Sequence, residues 1–238
     1  LKKILFIALT FLLLLGGQET LFAQKNKVMN LQNYDNKWLH FGFLLGFNSA
    51  NFRIVNQPDF AGYDSLDYIQ TFPEGGFNLG IISNLHLGEY FDFRFIPTLS
   101  FSSRKIEYVY TSPKQGLQVR TKDVESTFLD FPLLMKYKSA RHNNFRAYLV
   151  GGIRYTFDMA SQKDVKEEPG MALVKINDQD YGLELGVGFD FYLNYFKFSP
   201  EIRYYFGLKN MIVQSNTIFS KPIDRLTSKI ILISFNFE

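Results

Sequence analysis

The sequence predicts an all-β fold: an eight-stranded, antiparallel, up-and-down transmembrane β-barrel. Three observations predict it. Hydropathy alternates with period two in eight separate segments. The connections between those segments alternate between short and long. After the first two dozen residues, no stretch is long and apolar enough for a membrane helix.

Residues 1–23 read as a signal peptide. Lys2 and Lys3 precede an apolar run, Ile4 to Leu15, and Leu21-Phe22-Ala23 places a small residue before Gln24. Cleavage is expected after Ala23; the alternative is an uncleaved anchor, which the short run disfavours, since a spanning helix needs about 20 apolar residues. Residues 24–39 carry no alternation and are expected to form a lead on the periplasmic side. The barrel is expected over 40–238.

In a strand, successive side chains point to opposite faces, so alternation means one apolar and one polar face. Phe41, Phe43, Leu45 and Phe47 alternate with His40, Gly42, Gly46 and Asn48. Phe77, Leu79, Ile81 and Leu85 follow, then Phe91, Phe93, Phe95, Leu99 and Phe101. Leu129 to Tyr137, Ala147 to Phe157, Leu183 to Phe191, Phe196 to Phe206 and Ile231 to Phe237 complete the count. Each segment has about the 9–11 residues that a tilted strand needs to cross a bilayer.

Gly88-Glu89, Ser139 to Asn144 and Leu193-Asn194 read as short turns. Stretches near 55–72, 111–121, 159–179 and 208–224 read as longer polar connections. Outer-membrane barrels have short periplasmic turns and longer outer loops. Tyr90, Phe91, Tyr137, Phe145, Tyr192 and Tyr195 flank the short turns, as an interfacial aromatic girdle requires. By strand parity both chain ends of the barrel lie on the periplasmic side.

The inward faces carry charges of both signs: Asp92, Arg94, Asp130, Lys136, Arg146, Arg154, Asp158, Glu184, Asp190, Lys197, Glu201 and Arg203. Their near balance predicts an interior filled by ion pairs, because an unpaired buried charge is costly. Glycines at 42, 46, 80, 152, 182, 186 and 188 face the same way and leave room for long side chains.

Other chemistries are weakly supported. No cysteine occurs, so disulfides, thiol catalysis, Cys-ligated metals and a lipid-modified cysteine are not expected. Ser100, His86 and Asp92 have the residue types of a hydrolytic triad but no supporting spacing. The acidic-aromatic run Tyr63 to Tyr68 and the pair Glu167-Glu168 read as solvated loop, not metal ligands. A net charge of +3 does not argue for nucleic acid. No catalytic residue, metal, cofactor, nucleic acid or small-molecule substrate is expected. The lipid bilayer is the expected surrounding.

One stretch goes further. Lys27 to Asn48 reads KVMNLQNYDNKWLHFGFLLGFN, and its elements NLxxYDxKxxHFGFxLGxN resemble the start of the PorT family. These are outer-membrane proteins of the type IX secretion system of gliding and secreting Gram-negative bacteria. FLDFPLLMKYKS, Phe128 to Ser139, is similar to that family and to related barrels. The resemblance implies a role in protein export, and in gliding where present, without catalysis. It implies contact with other secretion-machine subunits. On that basis Asn30, Leu31, Tyr34, Asp35, Lys37, His40, Phe41 and Gly42 are candidate partner-binding residues at the periplasmic mouth. The alternative is that they only seal the barrel's lower end. For the whole protein the competing readings are an adhesin or narrow passive channel, and an outer-membrane hydrolase.

Overall fold

The structure, a computed structural model, describes residues 28–57, 66–112, 116–160, 175–214 and 220–238. The signal peptide, Tyr63, Glu167 and Glu168 lie outside the described residues. No described helix is long and apolar enough to cross a membrane. The chain crosses with strands.

Among the described residues nine strands form one antiparallel sheet: β1 (Leu39–Asn56), β2 (Leu66–His86), β3 (Phe91–Phe95), β4 (Thr98–Ser112), β5 (Gly116–Lys138), β6 (Phe145–Asp158), β7 (Gln179–Tyr192), β8 (Lys197–Gly207) and β9 (Ile223–Phe237). Strands β3 and β4 are two halves of one barrel strand. Both pair with β2 and β5, and the register is unbroken across Ile96-Pro97, which interrupts them; farther out, β2 shifts against β4 between Phe77 and Pro73 and between Tyr68 and Leu66. Proline has no N–H to give the ladder. Its carbonyl still accepts from Ile81 N at 3.0 Å, so the ladder runs past the break. Each strand pairs with its sequence neighbour, and β1 closes on β9, giving a ring of eight. Closure is what a membrane demands, because lipid cannot satisfy an open sheet edge.

The ring is staggered. A path along paired residues leaves Lys197, passes through Glu238, Gly42, Ile82, Ile96, Pro132, Arg154 and Gly182, and returns at Gly207, ten residues further along β8. With eight strands that stagger gives a strand tilt of about 40°.

The outward face is apolar. Phe41, Phe47, Ile81, Ile153, Leu185 and Ile202 are each more than half exposed to the surroundings. Stacked rings cross the outer seams, among them Phe43 on Phe237 and Phe77 on Phe101. The interior has two tiers. Towards the chain ends it is largely ionic, around a small apolar cluster of Leu44, Ile82, Ile96 and Leu134. Towards the loop end it becomes an apolar cluster of Phe52, Ile106, Tyr108, Met211, Ile212, Ile223 and Leu226.

Strand length departs from the sequence reading. The connection expected at 111–121 is largely strand, and β5 has 23 residues. Leu66 to Tyr68 also belong to β2, not to a loop. Above the bilayer belt the outward side chains turn polar, as at Lys105, Glu107, Asp123 and Glu125, so the membrane pattern stops. The strands continue because β2, β4 and β5 still satisfy one another's backbone groups.

Candidate functional site

The inner mouth is built where β3, β5, β6, β7 and β8, with Glu238 just past β9, present charged side chains to the lumen beside the lead. Lys136 Nζ donates to both carboxylate oxygens of Asp190 at 2.8 Å, and Ser199 Oγ donates to the same carboxylate at 2.6 Å. Lys138 Nζ donates to Asp92 at 2.6 Å, and His86 Nδ1 lies 2.8 Å from that carboxylate. Arg94 donates to Glu201 at 3.0 Å and to Glu238. Lys197 donates to Glu238 at 3.0 Å. Arg203 lies 3.1 Å from Glu184 and 2.8 Å from Glu201, close enough for charge pairing though not aligned for hydrogen bonds.

Arg154 is 3.8 Å from Asp130 and lies 3.5 Å over the Tyr205 ring. Among the described residues Asp158 has no cation within ion-pair reach; it accepts from Ala160 N at 3.0 Å. All twelve inward charges named from alternation are buried. Tyr148 on β6 reaches over β7 to donate to Glu201 on β8 at 2.8 Å. Its directly paired neighbour is Gly188, where a Cβ would collide with the Tyr148 ring, so glycine is required by the close approach.

The lead lies across this mouth. Asn30 N donates to Asn144 Oδ1 at 2.8 Å, and Asn30 Nδ2 to Tyr192 O at 3.0 Å. Leu31 has a left-handed φ of 49°, and its carbonyl accepts from Tyr34 N at 3.0 Å, closing a turn. Arg141 donates to Leu31 O at 3.4 Å and to Asn30 O, and stacks 3.6 Å over Tyr192. Asp35 accepts two bonds of 3.3 Å from Arg146. Tyr34 stacks on His40 at 4.0 Å and donates to Glu238 at 3.2 Å. His40 Nε2 lies 2.8 Å from Tyr34 O.

Burial, then the Glu238 carboxylate, push the Tyr34 phenol pKa well above its ordinary value. Burial also raises the Glu238 carboxyl pKa. Lys197, Arg94 and Lys136 outweigh it and hold that carboxyl well below the usual range.

Of the eight residues named from the resemblance, Asn30, Leu31, Tyr34, Asp35 and His40 thus engage the mouth. Lys37 is exposed and, with Met29, Gln32 and Asn33, borders a shallow groove on the lead. Phe41 points outward on the wall, and Gly42 packs against the Phe237 carbonyl. The Ser100, His86 and Asp92 set is not assembled: His86 meets Asp92 and Lys138, while Ser100 bonds to Asn48 at 3.3 Å and lies 3.4 Å from Ser102.

Alternation alone reaches Lys138 and Glu238, two residues beyond Lys136 and Asn236, yet both were missed. So was Arg104, two beyond Ser102, whose guanidinium lies between Phe52 and Phe128 at 4.5 and 4.7 Å. Among the described residues no cluster of three or more metal-ligating side chains occurs.

A family model described as outer membrane protein beta-barrel domain matches residues 22–213. No curated protein matches the chain. Among solved structures the chain is similar to outer membrane protein OprG from Pseudomonas aeruginosa, at 14% identity over 84% of this chain and 93% of that one, TM-score 0.45. It is similar to outer membrane protein AlkL in lipid bilayers, at 12% identity over 85% and 92%, TM-score 0.44. Neisserial surface protein A matches at 10% identity over 84% and 98%, TM-score 0.40.

Proposed function

The chain belongs to the outer membrane protein beta-barrel domain family and resides in the outer membrane of a Gram-negative bacterium, and from that premise we propose that it is an accessory component of the type IX protein secretion system. It docks other subunits at its periplasmic face and neither catalyses nor conducts. The observation that carries this reading is the clamped lead. Arg141, Arg146 and Tyr192 hold residues 30–35 across a lumen already packed with ion pairs. The stretch that resembles the PorT family is therefore a fixed surface, with Gln32, Asn33 and Lys37 on its open side. An eight-stranded barrel filled in this way has no room for a general pore.

Deleting the gene is expected to retain secreted cargo in the periplasm, and an Asn33→Glu/Lys37→Glu variant to reproduce that defect while the barrel still assembles. Normal secretion in the deletion strain overturns the proposal. Appreciable conductance of the purified protein in planar bilayers favours a channel.

A second reading, an adhesin, is favoured by the sheet of β2, β4 and β5 that continues at the outer end past its pairing with β1 and β6. Its edges and its exposed Leu117 and Val119 form a ledge above the membrane. Loss of surface attachment, with secretion intact, on shortening the β4–β5 hairpin supports that reading.

A further inference from the structure

We propose that the outer end of the β1–β9 wall binds the phosphate groups of an outer-leaflet glycolipid through Arg53, Arg225 and Lys229. The register fixes the cluster. Asn51 pairs with Lys229, Arg53 with Thr227 and Val55 with Arg225, all on the outward face. Arg53 therefore sits diagonally between Lys229 and Arg225, at the roughly 7–8 Å spacing of diagonal cross-strand neighbours. One phosphate can lie between two such side chains.

The cluster continues the lipid-facing wall. On β9 the outward residues run Phe237, Phe235, Ile233 and Ile231, then Lys229. Lys229 stands one outward step beyond Ile231, about 5 Å along the barrel axis. The apolar belt on β1 likewise ends at Phe47, below Arg53. Three cations thus begin where acyl chains end, on the side away from the short periplasmic turns. Headgroups of the outer leaflet occupy that level, and a phosphorylated headgroup supplies the anion that such a cluster would take.

Among the described residues none of the three cations has a carboxylate within ion-pair reach. Arg225 Nη2 donates to Leu208 O at 2.8 Å, which tethers its guanidinium to the wall. Asp224 accepts from Gln57 at 3.4 Å instead. The opposite wall differs at the same end: Lys105 is 2.8 Å from Glu74 and 4.0 Å from Asp123. Among the described residues, Lys105 on β4 is thus paired with carboxylates, and Arg53, Arg225 and Lys229 on β1 and β9 are not. A basic cluster beside a membrane attracts anionic headgroups, each cation adding to the hold.

The test uses the folded protein in detergent and native mass spectrometry, with diphosphorylated lipid A as probe. Wild type is expected to retain the lipid through activation. The Arg53→Gln/Arg225→Gln/Lys229→Gln variant is expected to retain on the order of tenfold less or lower still, and Lys105→Gln as much as wild type. Heat-modifiable gel migration reports folding. Lys229→Gln alone, at an outward position, gives the same comparison if the triple variant does not fold. Millimolar inorganic phosphate is expected not to displace the lipid; displacement, with no preference for lipid A, overturns a lipid site in favour of a free anion. Equal retention by the triple variant, or of lipid A stripped of its phosphates, overturns the proposal.

Discussion

Inside the barrel the Lys136 ammonium meets both oxygens of the Asp190 carboxylate at 2.8 Å, and both side chains are sealed from solvent. Removing one member leaves the other charged and buried, which costs about 3–5 kcal/mol. Lys136→Met is therefore expected to lower the stability of the folded barrel by that amount in urea titration from micelles. Lys136→Met/Asp190→Leu is expected to recover part of the loss. Equal destabilisation by the single and double variants would show that the pair does not act as a unit.

Arg154 is held differently. Its carboxylate partner is 3.8 Å away, while the Tyr205 ring lies at 3.5 Å. Arg154→Met is expected to destabilise by about 3–5 kcal/mol. Arg154→Lys keeps the charge but loses planar stacking, an expected cost of about 1–2 kcal/mol. An unchanged thermal midpoint for Arg154→Met would place that guanidinium in water.

Glu238 sets an acid limit. Its folded-state pKa is depressed below the unfolded value of about 4.3. The stability it contributes is present above that value and is lost as pH falls through the folded-state pKa. Stability is expected to be flat in this contribution from pH 8 to 5 and to fall below about pH 4. Glu238→Gln should be weaker at neutral pH and show a flatter acid limb. An acid limb as steep as wild type's in the variant would assign the loss to other carboxylates.

The absence of cysteine offers a direct probe of the lead. Ser234 faces the lumen, fully buried, with its hydroxyl unpartnered among the described residues. A thiol introduced by Ser234→Cys is expected to resist a membrane-impermeant maleimide. Adding Tyr34→Ala and Asp35→Ala is expected to raise its labelling rate several-fold. If labelling does not change, the lead does not close the mouth.

The strand count and the sorting of wall from interior were legible because lipid and lumen impose opposite polarities on neighbouring residues. Phe91, Phe93 and Phe95 cannot share a face with Asp92 and Arg94. The pairing inside was not legible. Arg94 meets Glu201 and Glu238, 107 and 144 positions away, and those meetings depend on the ten-residue stagger, which no local pattern encodes. The long β4–β5 hairpin was hidden for a related reason. Once its outward residues leave lipid they become polar, and Lys105 to Glu125 then reads like any solvated connection. The lead offered no periodicity at all. Its hold on the mouth rests on Arg141, Asn144 and Arg146, in or beside a turn more than a hundred positions away.

The two tiers of the interior give the barrel two separate weak points. Charge pairs near Glu238 answer to proton concentration and have little heat-capacity signature. The apolar cluster of Phe52, Ile106 and Leu226 carries the heat-capacity change and loses its driving force on cooling. Acid should therefore loosen the periplasmic mouth first, and cold the outer one. Amide exchange along β1 would register this as protection lost near His40 at low pH and near Phe52 at low temperature. A single closed sheet would then open from opposite ends according to which solvent property is changed.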